Sequence, residues 1–206
     1  MKFRALGTLG IIMSLVVTSL PAQVAGIPVV NNGAATGVRI GADVGIPNDA
    51  YGKGTAFDGR AEIGLGFFSV GGAISHYTPK GGDGFWSPGL NATLRLLGGP
   101  LVPFRITLQG GVAHWTESGV DFTHVPVSIG FSATIPNPAF AIKPWIAPRF
   151  DVLHQSVGGG SDTRFGISGG IDLALLNGFS IRGAYDLRSE EAGNASVLAF
   201  GLGFAP

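Results

Sequence analysis

The sequence predicts an all-β protein: a closed, antiparallel, up-and-down barrel of about ten strands, with eight as the alternative. Three observations lead there. Apolar and polar residues alternate with period two over many short segments, as in Asp162–Arg188, where Phe165, Ile167, Ile171, Leu173 and Leu175 oppose Arg164, Ser168 and Asp172. Charged residues are only 13% of the chain and 35 of its 206 residues are glycine, against roughly 25% charged in soluble domains. Beyond the N-terminal segment no apolar run is long enough for a transmembrane helix. High hydropathy spread singly along strands makes a wall with one greasy and one polar face, and the greasy face is assigned to lipid.

The elements follow in order. Lys2 and Arg4 precede the apolar run Leu6–Val17, the pattern of a secretory leader, and cleavage after Ala22 or Ala25 fits. Taking Ala25 gives a signal peptide over 1–25, a loose lead-in over 26–36 and a barrel over 37–206. Val38, Ile40, Ala42 and Val44 oppose Arg39 and Asp43, and Pro47–Gly59 is dense in turn formers. Ala61, Ile63 and Leu65 oppose Arg60 and Glu62; a further strand runs from Phe68. Pro79–Gly84 is a loop, Leu90 to Leu96 alternate with Asn91 to Arg95, and Gly98–Pro100 turns the chain. Phe104, Ile106 and Leu108 oppose Arg105, Thr107 and Gln109. After a loop at Glu117–Asp121, Val125 to Ala133 alternate with His124, Ser128 and Ser132. Pro136–Pro138 leads into Phe140–His154, where Pro144 and Pro148 argue for bulges because proline cannot donate to a ladder. Gly158–Asp162 precedes the hairpin described first, whose Asn177-Gly178 suits a type I′ turn. Ser189–Asn194 is the last loop, and Leu198, Phe200, Leu202 and Phe204 close the chain. Long and short connections should alternate, placing loops at one end and tight turns at the other.

Charge sorts with this scheme. Arg39, Asp43, Arg60, Glu62, Arg95, Arg105, Lys143, Arg149, Asp151, Arg164, Asp172, Arg182 and Asp186, with Arg188, fall opposite the apolar set and form a predicted lumen network with a basic excess. Asp49, Lys53, Asp58, Lys80, Asp83, Glu117, Asp121, Asp162, Glu190 and Glu191 fall in or beside the loops, which are acidic overall. Phe67, Phe68, Phe104, Phe140, Phe179 and Phe204 form a belt at the turn end, and Tyr77, Trp86, Trp115, Phe122 and Tyr185 a second belt toward the loop end. A soluble lipocalin-like barrel around an apolar ligand would invert this arrangement and is the principal alternative.

Over Gly37–Phe204 this pattern resembles the small Gram-negative outer-membrane β-barrels of the OmpA and OmpX type. That resemblance implies an outer-membrane location, periplasmic termini, surface-exposed loops, contact with outer-membrane lipid and lipopolysaccharide, and insertion by the outer-membrane assembly machinery. Family members end on an aromatic residue, whereas Ala205-Pro206 follow Phe204 here.

The chemistry expected is sparse. With no cysteine there is no disulfide framework, and nothing indicates nucleic acid, a cofactor or a metal. His76, His114, His124 and His154 all fall toward the loop end, near Asp121, Asp151 and Ser156, so an outer-membrane hydrolase with a rim histidine is a further alternative. No GxSxG motif accompanies them. The reading taken is a monomeric, non-enzymatic barrel, structural or weakly pore-forming, whose lumen charges are mostly ion-paired.

Overall fold

The computed structural model describes residues 24–99, 102–158, 160–190 and 193–206. Residues 1–23 of the expected signal peptide (1–25), Pro100 of the turn with Leu101, Gly159, and Glu191 with Ala192 of the last loop lie outside the described residues.

Ten long strands form one closed antiparallel barrel: β1 Thr36–Pro47, β2 Gly54–Leu65, β3 Phe68–Pro79, β4 Phe85–Leu97, β5 Phe104–Glu117, β6 Val120–Ala133, β8 Phe140–Gln155, β9 Ser161–Leu175, β10 Phe179–Glu190 and β11 Gly193–Phe204. A two-residue strand, β7 Ile135–Pro136, lies between β6 and β8. Neighbours in sequence are neighbours in the sheet; β1 pairs with β11, and β6 pairs with β8. Closure leaves no free edge, so each long strand has a partner strand on both sides, as a hydrocarbon environment favours. The strands are 12 to 16 residues long, more than the 9–11 or so needed to cross a bilayer core at a barrel's tilt.

The apolar rows face outward. Val38, Ile40, Ile63, Val70, Leu90, Val127, Ile129, Ile171, Ile181 and Leu202 are all exposed. On the opposite face, Asp43, Ser75, Thr93, Thr107, Arg149, Asp172 and Asp186 are buried. A water-soluble lipocalin-like barrel is inverted with respect to this, and that alternative is discarded.

Pro144 and Pro148 are accommodated without a bulge. In an antiparallel strand a residue's N–H and C=O point to the same neighbour and successive residues alternate, so prolines four apart lack donors toward the same side. The ladder from β8 to β9 is continuous from Phe140↔Leu175 to His154↔Ser161. The ladder to β6 instead lacks its rungs between Ser128↔Arg149 and Phe131↔Ile146. Beyond Thr134, β7 resumes against β8 with Ile135↔Ile142, in the same register. The bulge lies elsewhere, between Arg95 and Leu97 where β4 meets β5.

Other expectations need correction. Strands extend further at the loop end than turn-forming residues suggest: the Pro47–Gly59 loop reduces to the segment between β1 and β2, and the Glu117–Asp121 loop to Ser118-Gly119, with φ 51° and 79°. Connections therefore do not alternate long and short, and Asp58 is a buried strand residue whose carboxylate accepts from the Asp43 N–H at 2.7 Å. Asn177-Gly178 is not a type I′ turn. Only Gly178 has positive φ, 85°, and its N–H donates to the Leu175 carbonyl, the geometry of a type I turn closed by a left-handed glycine. Phe67, Phe104 and Phe179 are about half exposed at this end, with Phe140 and Phe204 partly so. Of the loop-end aromatics, Trp86 and Tyr185 face outward, whereas Tyr77, Trp115 and Phe122 face the lumen. Their parity matches Ser75, Arg105 and His124, so the sequence signal was alternation, overridden in the reading by aromatic character.

Candidate functional site

The lead-in is not loose. Residues 24–35 run down the lumen from the loop end to the start of β1, and Val24, Ala25, Ile27, Val29, Asn31 and Ala35 are buried. At the top, the Ala25 N–H donates to Ser87 Oγ at 3.1 Å and its carbonyl accepts from Ser75 Oγ at 2.9 Å. Lower, the Val29 N–H approaches Asp186 Oδ1, and Asn31 accepts from Thr107 Oγ1 at 2.7 Å while donating to Ser128 Oγ at 3.0 Å. Asn32 donates to Asp172 and accepts from Arg39. At the bottom the Ala35 carbonyl accepts from the Gly66 N–H. A strap with so many unpaired backbone groups survives in the interior only because wall side chains satisfy them. Gly45 and Gly130 make room for it: a side chain on Gly45 would strike the Gly26 carbonyl and one on Gly130 would strike Asn31.

Around the strap the lumen divides along its axis. The loop end holds a small apolar core of Val24, Ala25, Ile27, Ala56, Tyr77, Ala113 and Trp115. Phe85, Trp115 and Phe122, on three successive strands, stack with planes within 13° and 11°. Above them opens a vestibule of about 280 Å³ that also meets Tyr51, Arg164, Arg188 and Glu190. Arg164 pairs with Asp162 and Glu190, and Arg188 pairs with Glu190 while lying over the Tyr51 ring.

The middle is a set of buried ion pairs. Arg149 donates to Asp151 at 2.9 Å and to Asp186 at 2.6 Å, with both carboxylates buried. His124 Nε2 lies 2.9 Å from the same Asp151. Arg182 pairs with Asp172, and Arg60 and Arg182 both approach Asp43. A cavity of about 60 Å³ lies between the strap, Arg60, Arg182 and the wall of β2 to β4, room for several waters.

The turn end differs. Arg39 pairs with Glu62 at 3.3 Å. Among the described residues Arg95, Arg105 and Lys143 have no carboxylate within ion-pairing distance and no side-chain hydrogen bond. Thus of the fourteen charges placed in the lumen by alternation, the structure brings eleven into pairs and leaves three cations together at one mouth. Sequence reasoning missed Asp58, Asn31, Asn32 and Trp145. Asp58 shares the parity of Arg60 and Glu62, which was a usable signal; Asn31 and Asn32 lie in a segment with no periodicity and carried none.

Of the rim histidines, His114 and His154 are exposed and within reach of Thr123 and Ser161, and His76 packs edge-on against Trp86. His124 alone enters the lumen. Ser156 is at the rim, where its hydroxyl accepts from the Asp121 N–H.

No family model and no curated protein matches this sequence. Solved structures do match in shape. The β-domain of the Bordetella autotransporter BrkA aligns with a TM-score of 0.58 at 12% identity, over 82% of this chain and 98% of that chain. This is an outer-membrane β-barrel fold. Looser likenesses are the N-terminal barrel domain of Pseudomonas aeruginosa OprF, at TM-score 0.40 and 15% identity over 84% of this chain and 98% of that one, and the outer-membrane enzyme PagL, at 0.43 and 14% over 82% and 99%. As an outer-membrane barrel, the chain has its exposed apolar rows as the lipid face and its polar rows as the lumen lining.

Proposed function

We propose that this outer-membrane barrel is a structural, non-enzymatic component of the envelope whose lumen is closed to solutes. The observation that carries this is the strap: residues 24–35 occupy the lumen along its length, hydrogen-bonded to at least five strands. Ion pairs of Arg149, Arg182 and Arg60 occupy the space beside it. A conducting pore requires a continuous polar path, which these groups obstruct. In the outer-membrane orientation the turn end is periplasmic, and the acidic groups Asp49, Asp121 and Asp162 sit at the outer surface. Its partners in this reading are outer-membrane lipid, lipopolysaccharide and the assembly machinery, and it acts as a monomer.

His124 is read as a structural group because it is buried and shares Asp151 with Arg149; catalysis needs an accessible base. Planar-bilayer recording tests the reading. The purified barrel, heat-modifiable on gels, should show no steady single-channel conductance, and a folded variant with Ala34 and Ala35 retained but residues 24–33 removed should conduct. Steady conductance by the intact protein would sink the closed-lumen reading, and lipid or peptide hydrolysis lost on His124→Ala would sink the non-enzymatic one.

A further inference from the structure

The turn-end mouth of the lumen collects hydrogen-bond donors that lack acceptors. Arg95 and Arg105 lie on adjacent strands, with Arg95 paired across the ladder to Thr107, two residues from Arg105 on the same face. Arg105 is level with Ser132, and Ser132 with Trp145. Lys143 is two residues below Trp145 on the same face of β8. Arg95, Arg105 and Lys143 therefore line one continuous sector of wall, from β4 through β5 and β6 to β8, beside Trp145, whose ring lies over Gly170 of β9. Every one is a donor without acceptor capacity.

Three facts bear on this sector. First, its charges repel: the charged groups acting on Arg105 are Arg95 and Arg39. Lys143 faces Arg39 and Arg105, and the one carboxylate acting on it, Asp172, is held by Arg182 and Asn32. Second, Trp145 is 4% exposed and its indole N–H has no partner. A buried orphan donor costs roughly 1–3 kcal/mol and is uncommon in a folded protein. Third, the strap passes this sector at Gly33, where a Cβ would lie 3.8 Å from Arg105 and Ser132, so the strap offers these groups contact but no side chain to accept from them.

We propose that this turn-end sector binds a phosphate-class oxyanion, held by Arg95, Arg105 and Lys143. Such an anion brings several acceptor oxygens and negative charge to a cluster of three cations, and its oxygens match the forked donors of two guanidinium groups. Chloride offers no such geometry. The same chemistry is available from free phosphate and from a phospholipid headgroup at the barrel mouth. The site needs no conduction through the lumen, so it stands or falls apart from the closed-lumen reading.

The test uses the purified full-length mature barrel in an uncharged detergent, with folding verified by heat-modifiability. Inorganic phosphate is titrated against sodium chloride at matched ionic strength, and urea unfolding and tryptophan fluorescence are followed. A parallel arm uses nanodiscs of phosphatidylcholine with or without phosphatidylglycerol. The expected result is a saturable upward shift of the unfolding midpoint, from phosphate or from the anionic lipid, that is lost in Arg105→Gln and in Lys143→Gln. A response to phosphate identifies free anion as the source, and a response to phosphatidylglycerol alone identifies the headgroup. Arg164→Gln, at the other end of the lumen, should respond like the unaltered protein. No shift beyond that of chloride in either arm, or a shift that survives in every folded variant of the three cations, overturns the proposal.

Discussion

Arg149 on β8 and Asp186 on β10 meet across β9, their Nη1 and Oδ1 atoms 2.6 Å apart with Ser168 of the intervening strand bonded to both. All three are buried. Removing one member of such a pair leaves the other charged and desolvated, which costs about 3–5 kcal/mol. Arg149→Ala strands Asp186 and should therefore lower the unfolding free energy measured in urea by an amount in that range. Lys53→Ala breaks the exposed pair with Asp49 and should change stability by no more than about 1 kcal/mol. Equal losses in the two variants would show that the lumen pair is not specially desolvated.

The strap makes a second prediction. Asn31 is 1% exposed and bonded to Thr107 and Ser128. Asn31→Ala leaves those wall hydroxyls without it and should cost about 1–3 kcal/mol, with faster cleavage of the strap by added protease. Unchanged protection would mean that the strap does not depend on this anchor.

Processing of the leader can be read from the same segment. Cleavage after Ala25 would delete Val24 and Ala25, both buried, and strip Ser75 and Ser87 of their bonds to Ala25. Cleavage after Ala22 keeps them, and a small residue precedes the scissile bond in either case. The mature chain is therefore expected to begin at Gln23. N-terminal sequencing and intact mass decide between Gln23 and Gly26, and Ala22→Leu should block processing where Ala25→Leu does not.

The lipid face gives the fourth. Val127 is exposed near the middle of β6, between Gly110 and Phe150 on the neighbouring strands. Val127→Arg places a charge in the apolar band and should cost about 2–4 kcal/mol in lipid vesicles. Phe122→Arg, at the rim of the vestibule, should be tolerated better because the group reaches water. If Val127→Arg cost nothing in vesicles, that position would not lie in hydrocarbon.

Much of this architecture was legible along the chain. Alternation assigned Ile171 and Ile181 to the outside and Asp172 and Arg182 to the inside, because side chains on a strand change face at every residue and only one face of a barrel can meet lipid. The same rule held Asp58, Tyr77, Trp115 and Phe122 to the lumen, where turn-forming neighbours and aromatic character had argued otherwise. The partners within the lumen were not legible. Arg149 meets Asp186 at a separation of 37 residues and Asn32 meets Asp172 at 140, and such distances depend on strand register and closure.

The strap shows the same division in one segment. Local periodicity settles which side of a wall a residue faces, and for this protein it settles the barrel, its lipid face and the polarity of its interior. Residues 24–35 belong to no wall and have no period to read. Their course down the lumen, the ion pairs beside them and the three cations left at the turn end arise only when ten strands close, because closure brings side chains from opposite walls into one narrow space and decides which of them find partners there.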